Sequence, residues 1–394
     1  MTVRLPAGVR DYLPVAAARR RGLGAAAAAE LERWGYRAII TPLYEYDEVL
    51  QRGMGQAAHA MRFVEPSTGE VVALRPDLTP QVARLVATRM HDEPGPIRLY
   101  YQGSVVRLDG GRHEIFQIGV ELIDAPQPGG DLEVVALAEA ALDAVGIPDR
   151  TLDLGHAAVA RAALGHDAGG LGLSDADSET LHTALARKDG AEVARLAART
   201  RLPEGRRQLL AALPSLYGGV EILERAHGLT EGEARAAVDE LAALCARLAA
   251  LGTADRISID LGEVRGFDYY TGTRFALYAD GVGGALASGG RYDRLVERYG
   301  RPARAAGFAL DVDRVAELLK LRGVPAPRQV GGTLVAGDPV AAAKLAASLR
   351  ASGNRAVLEL DLPVPPEAEL RKRALARSLD RIAIAMSDGI RWLD

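Results

Sequence analysis

The sequence predicts an α+β fold in which helices flank a mainly antiparallel sheet. Runs rich in β-branched and aromatic residues alternate with Ala- and Leu-rich runs before residue 157 and return after residue 256. Turn signals such as Asp109-Gly110-Gly111 indicate that neighbouring strands are joined by hairpins and not by helical crossovers. Between residues 157 and 252 the strand signals vanish, which predicts a helical insertion into the core.

The elements of the core follow from local composition. Residues 15–34 predict a helix, and Gly35 ends it because glycine readily takes the backbone conformation that stops a helix. Strands are predicted where β-branched and aromatic residues cluster, and helices where Ala and Leu recur among charged residues. The predicted strands are 36–40, 71–74, 97–102, 116–123, 256–261 and 273–278, and the predicted helices are 80–90, 132–144 and one that starts near Tyr292.

The chain of 394 residues is too long for one ordinary core, which predicts two domains. The first is expected over 1–322, interrupted by the insertion at about 157–252. The Gly- and Pro-containing stretch 323–328 is interpreted as a linker. A small α/β domain is expected over 328–394, with strands 333–335, 355–360 and 381–385 and helices 339–351 and 367–378.

Composition and charge indicate a soluble cytoplasmic protein. Hydrophobic residues make up 48% of the chain and charged residues 25%, and the net charge of −4 gives no support to charge-driven binding of a polyanion. No apolar stretch of about 18 residues occurs, so no membrane span is expected, and the N-terminus lacks the pattern of a signal peptide. The single cysteine, Cys245, fits a reducing cytosol and is interpreted as a small buried apolar side chain.

Two polar motifs lie beside predicted strands. Residues 75–79, Arg-Pro-Asp-Leu-Thr, separate a strand from a helix, and taken alone they favour a helix start with Thr79 as N-cap over a ligand site. Gln117 and Glu121 are four residues apart on one strand, so they share a face with Gly119 between them. The glycine leaves room for something to lie on that face, although a half-exposed strand would show the same alternation.

Two glycine-containing motifs follow the insertion. Residues 265–273, Arg-Gly-Phe-Asp-Tyr-Tyr-Thr-Gly-Thr, combine a guanidinium with phenols, and such a set can grip both ends of a small zwitterion. A binding loop is favoured here over a polar loop without a ligand. Residues 288–293, Ser-Gly-Gly-Arg-Tyr-Asp, predict a glycine-rich turn before a helix, which binds an anion or, more commonly, connects two elements. Residues 307–315 run from a strand into a helix that has Arg314 near its start.

In order and spacing these motifs resemble the histidyl-tRNA synthetase family across roughly residues 1–320. Residues 8–14 resemble the family's opening motif, and Gly35-Tyr36 with residues 41–45 resembles class II motif 1, the dimerisation element. Residues 75–79 and 117–121 resemble segments that line the histidine pocket, and residues 265–273 and 288–293 resemble the two histidine-specific signatures. The resemblance implies a class II aminoacyl-tRNA synthetase-like antiparallel sheet, normally in a homodimer.

The resemblance also implies a site for free histidine. Asp77 and Thr79 would meet the ammonium group, and Arg265 would grip the carboxylate region. Gln117, Glu121 and Tyr270 would orient the ligand, with Glu121 and Tyr270 satisfying the imidazole nitrogens. The full predicted set of histidine-binding residues is Asp77, Thr79, Arg107, Gln117, Glu121, Arg265, Tyr269 and Tyr270. No catalytic residue, metal or cofactor is implied.

The positions that would hold a nucleotide depart from the family pattern. Arg107 is kept, but Asp109 and Gly110 stand where motif 2 has a glutamate and a second arginine. In motif 3, Asp311 replaces a glycine and Asp313 a glutamate, while Arg314 is kept. A carboxylate where a triphosphate should lie repels it, and the loss of cations should cripple adenylation. The segment 328–394 is also shorter than the family's anticodon-binding domain.

An intact histidine pocket beside an eroded nucleotide site resembles the paralogous family of ATP phosphoribosyltransferase regulatory subunits. This implies a non-catalytic chain, a homodimer within a hetero-oligomer, that activates a short catalytic subunit. With histidine as effector, it would mediate feedback inhibition in the first step of histidine biosynthesis, without tRNA. Two alternatives stay open: a divergent but active histidyl-tRNA synthetase, and a module that senses histidine or uncharged tRNA for another system.

Overall fold

The computed structural model describes residues 4–54, 60–108, 111–165, 171–253, 256–263, 269–327 and 330–393. The chain divides into two compact units, Met1–Pro325 and Ala326–Asp394. The first unit contains the central sheet and the helical segment that follows residue 157, and the second contains a small sheet of its own.

The described residues form thirteen α-helices and sixteen strands. The helices are α1 (Pro14–Arg33), α2 (Asp47–Met54), α3 (Thr79–Arg89), α4 (Gly129–Ala144), α5 (Ala157–Leu164), α6 (Asp175–Ala186), α7 (Gly190–Ala197), α8 (Glu204–Ala212), α9 (Ile222–Leu229), α10 (Gly232–Ala250), α11 (Val312–Leu321), α12 (Pro339–Ala351) and α13 (Glu367–Ala376). The strands are β1 (Arg37–Ala38), β2 (Tyr44–Tyr46), β3 (Arg62–Val64), β4 (Val71–Leu74), β5 (Ile97–Val106), β6 (Glu114–Ile123), β7 (Thr151–His156), β8 (Tyr217–Gly218), β9 (Ile257–Asp260), β10 (Thr273–Tyr278), β11 (Ala287–Arg291), β12 (Ala305–Asp311), β13 (Thr333–Gly337), β14 (Ala356–Leu358), β15 (Arg381–Met386) and β16 (Gly389–Leu393).

A nine-stranded sheet forms the centre of the first unit, in the order β1-β5-β6-β12-β11-β10-β7-β9-β8. Its strands pair antiparallel except for the pairs β1–β5 and β7–β9, which are parallel. The α+β class and the mainly antiparallel sheet are therefore confirmed. The side chains of Ile118, Val120 and Leu122 on β6 pack with Leu31 of α1 and Leu137 of α4 in one buried cluster, so helices cover this face.

The segment after residue 157 is helical, with α5 to α10 packed against one another and against the core. It also contributes a strand that the sequence did not predict. Strand β8 pairs antiparallel with β9 through Tyr217–Asp260 and Gly218–Ile259, and so forms one edge of the central sheet. Lys188, between α6 and α7, adds an ion pair to Asp260 at 2.5 Å.

The second unit has a four-stranded sheet in the order β14-β13-β15-β16, with α12 and α13 packed on it. Strand β13 is parallel to β14 and β15, while β16 is antiparallel to β15. Strand β16 was absent from the sequence prediction, which ended its last strand at residue 385. Its hairpin with β15 supplies the sheet edge.

Two predicted helix starts were wrong. The helix expected near Tyr292 does not form; only a 3₁₀ turn, Val296–Tyr299, follows, and Gly300 ends it with a φ of 103°. The helix α3 begins at Thr79 itself, so Thr79 is not its N-cap. The amide of Thr79 instead donates to the Asp77 carboxylate at 3.0 Å, which satisfies one of the free N–H groups at the helix start.

Cys245 is buried on α10, as its apolar neighbours predicted, and burial raises the pKa of its thiol to about 11. Within the described ranges, every helix is too short or too polar to cross a membrane.

Candidate functional site

The candidate site lies on the face of the central sheet that points away from α1 and α4. Paired residues on neighbouring antiparallel strands point to the same face. Glu121 on β6 pairs with Gly307 on β12, and Gly307 pairs with Gly290 on β11. Gln117 and Gly119 share this face with Glu121, as the strand period predicted.

Three tyrosines occupy the room that these glycines leave. A Cβ at Gly119 would lie 2.5 Å from the Tyr101 hydroxyl, and one at Gly307 would collide with the Tyr292 hydroxyl. A Cβ at Gly290 would lie 2.9 Å from the ring of Tyr270. Gly119, between Gln117 and Glu121, therefore makes room for Tyr101 of the neighbouring strand β5.

Glu121 is the buried acid at the centre of the site, with 1% of its surface exposed. The Tyr292 hydroxyl donates to its Oε2. Burial raises the pKa of Glu121 well above its ordinary value, and the Asp77 carboxylate adds to this rise, while the nearby hydroxyls of Thr79 and Tyr101 oppose it. Burial thus favours the neutral form of this carboxyl more than in an exposed glutamate.

The tyrosine pair that sequence analysis singled out packs beside Glu121. The rings of Tyr269 and Tyr270 meet edge to face with centroids 5.1 Å apart, and Tyr269 lies 5.2 Å from the ring of Tyr292. Burial raises the pKa of Tyr270 to about 12, and that of Tyr269 rises well above its ordinary value for the same reason. Both hydroxyls therefore stay protonated at neutral pH and can donate hydrogen bonds.

Asp77, Thr79 and Arg107 form the rim of the site. Arg107 donates through Nε to the carbonyl of Pro76 at 2.7 Å and reaches the Asp77 carboxylate at 3.3 Å. The negative charge of Asp77 raises the pKa of Glu121, Tyr101, Tyr269 and Tyr270. Arg265, the residue expected to grip a carboxylate, lies outside the described residues, as do Asp109 and Gly110.

Several polar atoms of the site are buried without a hydrogen-bond partner in the part of the chain that the structure describes. They are Oε1 of Glu121, Oε1 of Gln117 and the hydroxyl of Tyr101. A buried polar group without a partner costs roughly 1–3 kcal/mol, so native proteins rarely leave such groups unpaired. These atoms leave hydrogen-bonding capacity on one face that a small polar ligand or an ordered water can complete.

The motif Ser288–Asp293 is a strand and its exit, not a glycine-rich turn. Arg291 is almost fully buried and pairs with Asp131 of α4 at 2.7 Å and with Asp293 at 3.0 Å. Its carbonyl accepts the amide of Thr271 at 2.7 Å. Arg291 therefore fixes the segment that carries Tyr270 and Tyr292 and is not available to an external anion.

A second charged cluster lies where β12 ends and α11 begins. The Asp311 carboxylate accepts from Arg112 at 2.5 Å and caps α11 by accepting the amide of Arg314 at 2.9 Å. Asp313 is fully buried and accepts from the hydroxyl of Tyr12 at 2.7 Å and from the amide of Phe116 at 2.9 Å. Arg314 is partly buried and donates to the carbonyl of Ala285.

Sequence reasoning missed Tyr101 and Tyr292 as members of the site. Tyr101 pairs with Gly119 across the β5–β6 hairpin, and only that register shows which side chain fills the glycine's room. Tyr292 was hidden by the wrong helix prediction. No group of three or more His, Cys, Asp or Glu side chains within the described ranges is placed to hold a metal ion.

Comparison with known proteins gives consistent matches. The family model for histidyl-tRNA synthetase matches residues 8–315. The ATP phosphoribosyltransferase regulatory subunit of Geobacter sulfurreducens is 40% identical over 325 residues, which cover 81% of this chain and 73% of that protein. The same-named protein of Moorella thermoacetica is 38% identical over 391 residues, covering 97% of this chain and 98% of that protein.

Solved structures agree on the fold. A crystal structure from Bacillus halodurans, described as an ATP phosphoribosyltransferase regulatory subunit/histidyl-tRNA synthetase, is 29% identical, with a TM-score of 0.80 and 98% of each chain covered. Histidyl-tRNA synthetase from Nostoc, at 22% identity and a TM-score of 0.75 over 98% of this chain and 92% of that one, shares the class II fold. This chain therefore belongs to the ATP phosphoribosyltransferase regulatory subunit family, a branch of the histidyl-tRNA synthetase-like proteins.

Proposed function

We propose that this chain is a non-catalytic, histidine-sensing subunit of a cytoplasmic ATP phosphoribosyltransferase complex. It activates a short catalytic subunit in the first step of histidine biosynthesis and transmits feedback inhibition when histidine binds. The names of the relatives support the complex with ATP phosphoribosyltransferase. The observation that carries the sensing role is the set of unpartnered buried atoms on Gln117, Glu121 and Tyr101.

Histidine matches the chemistry of this site. Its ammonium group donates to the Asp77 carboxylate and to the Gln117 oxygen, which lacks a donor among the described residues. Its imidazole N–H donates to the free Oε1 of Glu121, and the protonated hydroxyl of Tyr270 donates to the other ring nitrogen. Arg265, by its family resemblance, completes the set by gripping the carboxylate.

The sensing role has a direct test. Calorimetry of the purified chain, alone and with the short catalytic subunit, should detect binding of L-histidine. The catalytic rate should rise when the chain is added and fall again when histidine is added. Affinity of the complex for histidine must also change when the catalytic subunit binds its own substrates, because coupling between two sites is reciprocal. A chain indifferent to histidine would refute the sensing role.

We expect no adenylation by this chain. Asp311 places a carboxylate beside Arg112 and Arg314, and its negative charge offsets part of the positive charge that a triphosphate would need. Pyrophosphate exchange that depends on ATP and histidine should stay at the background of a reaction without protein, measured beside an active histidyl-tRNA synthetase. Exchange above that background would instead favour a divergent but active synthetase. This chain matches the histidyl-tRNA synthetase family model and shares the fold of a solved histidyl-tRNA synthetase.

The small sheet β2-β4-β3 supports a homodimer. Its side chains Tyr44, Tyr46 and Phe63 are apolar or aromatic yet 41–49% exposed, and Tyr44 meets Phe63 edge to face at 5.8 Å. Exposed apolar clusters of this kind mark interaction surfaces. We propose that a second copy of this chain covers them.

The replacement Phe63→Glu should weaken the dimer by about a hundredfold or more, since a buried charge without a partner costs several kcal/mol. Sedimentation equilibrium measures the change. The matched control is Leu251→Glu, which introduces the same charge at a residue 61% exposed on the insertion. A Phe63→Glu protein that dimerises like the control would assign the interface to another surface.

A further inference from the structure

Two guanidinium groups and a helix terminus converge on the single carboxylate of Asp311. Arg112 reaches it at 2.5 Å, and the Nε of Arg314 lies 3.8 Å away. The other carboxylate oxygen accepts the amide of Arg314 at 2.9 Å, inside the first turn of the ten-residue helix α11. Cations together with free backbone amides at a helix start form the usual environment of a bound phosphate or other anion.

Asp311 stands on the same face of the sheet as the candidate histidine site. It pairs with Gln117 across β12 and β6, in the register that pairs Glu121 with Gly307. The carboxylate is mostly buried, and burial raises its pKa above the ordinary value, while the charges of Arg112 and Arg314 oppose the rise. The negative charge at this point of the ligand face is thus supplied by the protein's own Asp311 side chain.

Space for an external anion exists beside this cluster. A cavity of about 310 Å³ is lined by Arg10, Tyr12, Arg112 and Glu114 together with Gly8, Val9 and Gly111. The Arg10 side chain is about half exposed, and its contact with Asp313 is long, at 3.9 Å. A phosphate-bearing anion in this cavity would therefore meet Arg10 as well as Arg112, if Arg112 were released from Asp311.

We propose that Asp311 acts as a built-in anionic ligand, which holds Arg112 and Arg314 in an intramolecular cluster and excludes polyphosphates from the ligand face. The carboxylate is tethered, so it is present at a far higher effective concentration than any anion in solution. A free anion would have to displace the Asp311 carboxylate and leave that carboxylate buried next to a second negative charge, which is unfavourable. This inference deepens the proposed non-catalytic role and rests on it only in part.

Removal of the charge should open the site. Asp311→Asn keeps an oxygen that can cap α11, because asparagine and aspartate are similarly good N-caps, but it removes the negative charge that Arg112 and Arg314 face. Calorimetry with inorganic pyrophosphate, without metal, should show affinity about tenfold or more above that of the wild-type chain, since each arginine then gains a charge-assisted bond to phosphate. Asp311→Ser, also a good cap, should give the same gain and replaces the first variant if that one does not fold.

Two controls separate the site from a general effect of charge. Asp149→Asn makes the same charge change at an exposed ion pair with Arg322 and should leave pyrophosphate binding unchanged. The double variant Asp311→Asn with Arg314→Gln should lose most of the gain. If Asp311→Asn binds pyrophosphate no better than the wild type, or if Asp149→Asn gains equally, the proposal is overturned.

Histidine titrations of the same proteins keep the two proposals apart. A gain in pyrophosphate binding by Asp311→Asn, with no histidine binding by any variant, would support the built-in ligand and refute the sensing role. Histidine binding by all variants, without a gain in pyrophosphate binding by Asp311→Asn, would support the sensing role and refute the built-in ligand.

Discussion

Replacement of Glu121 by glutamine is expected to weaken histidine binding by about a hundredfold or more, because a site built to pair with a ligand's polar group discriminates strongly when that pairing is lost. Glutamine keeps the shape of the side chain and can still accept from Tyr292, but it cannot supply a negative charge to the imidazole. Calorimetry with L-histidine measures the loss. Feedback inhibition in the reconstituted complex should vanish with it, while activation of the catalytic subunit persists.

The same variant should also change the proton balance of binding. Because burial raises the pKa of Glu121 in the free chain, an imidazole N–H that donates to the carboxylate favours its ionised form and releases a proton. The measured enthalpy for the wild type should then vary with the ionisation enthalpy of the buffer. For Glu121→Gln, any residual binding should lose this part of the dependence.

Stability distinguishes this result from simple unfolding. Folding raises the pKa of the Glu121 carboxyl, so the free energy of unfolding falls as the pH rises from the ordinary pKa to the raised one. Glu121→Gln removes this loss, so it should unfold at a higher temperature than the wild type at neutral pH. Glu204→Gln, the same change at an exposed helix start, is the control for both assays. Normal histidine binding by Glu121→Gln would move the site elsewhere.

Replacement of Arg291 by methionine should lower the free energy of unfolding by about 3–5 kcal/mol. Arg291 is buried between Asp131 and Asp293, and its loss leaves both carboxylates beside the core without a counterion. Urea denaturation at neutral pH measures the change. Addition of Asp131→Asn to this variant should recover part of the stability, because the uncompensated charge is then removed.

An exposed pair provides the comparison. Arg322 pairs with the exposed Asp149 at 2.7 Å, and pairs of this kind contribute roughly 0–1 kcal/mol. Arg322→Met should therefore change the unfolding free energy little. If Arg291→Met were as mild as Arg322→Met, the network between α4 and the strand that leads to Tyr292 would not hold the site together.

The sequence predicted those parts of the fold that depend on local patterns. The alternation of Gln117, Gly119 and Glu121 predicted which face of β6 is polar, because a strand repeats every two residues. The long helices were found because Ala and Leu recur in them among charged residues. Gly289 and Gly290 misled the prediction: glycine usually signals a turn, but Gly289 here lies in a strand pressed against the backbone of Gly307.

The candidate site needed the tertiary structure for its completion. Asp77, Gln117 and Tyr270 were named from motifs and family resemblance, and the structure brings the described members of that set to one face. Tyr101 and the partners of Arg291 could not be found in this way, because they depend on strand register and on contacts between distant segments. The role of Asp311 changed in kind, from a charge that repels phosphate to a carboxylate already engaged by two arginines.

The pairing of β8 with β9 makes the helical segment an integral part of the sheet, not an appendage. A shortened chain in which residues 157–252 are replaced by a brief linker would leave the backbone N–H and C=O groups of β9 unpaired along an open edge. Such an edge recruits strands from other molecules, so the shortened chain should self-associate into aggregates. Engineering that trims this protein should therefore keep Tyr217 and Gly218, or supply a substitute strand.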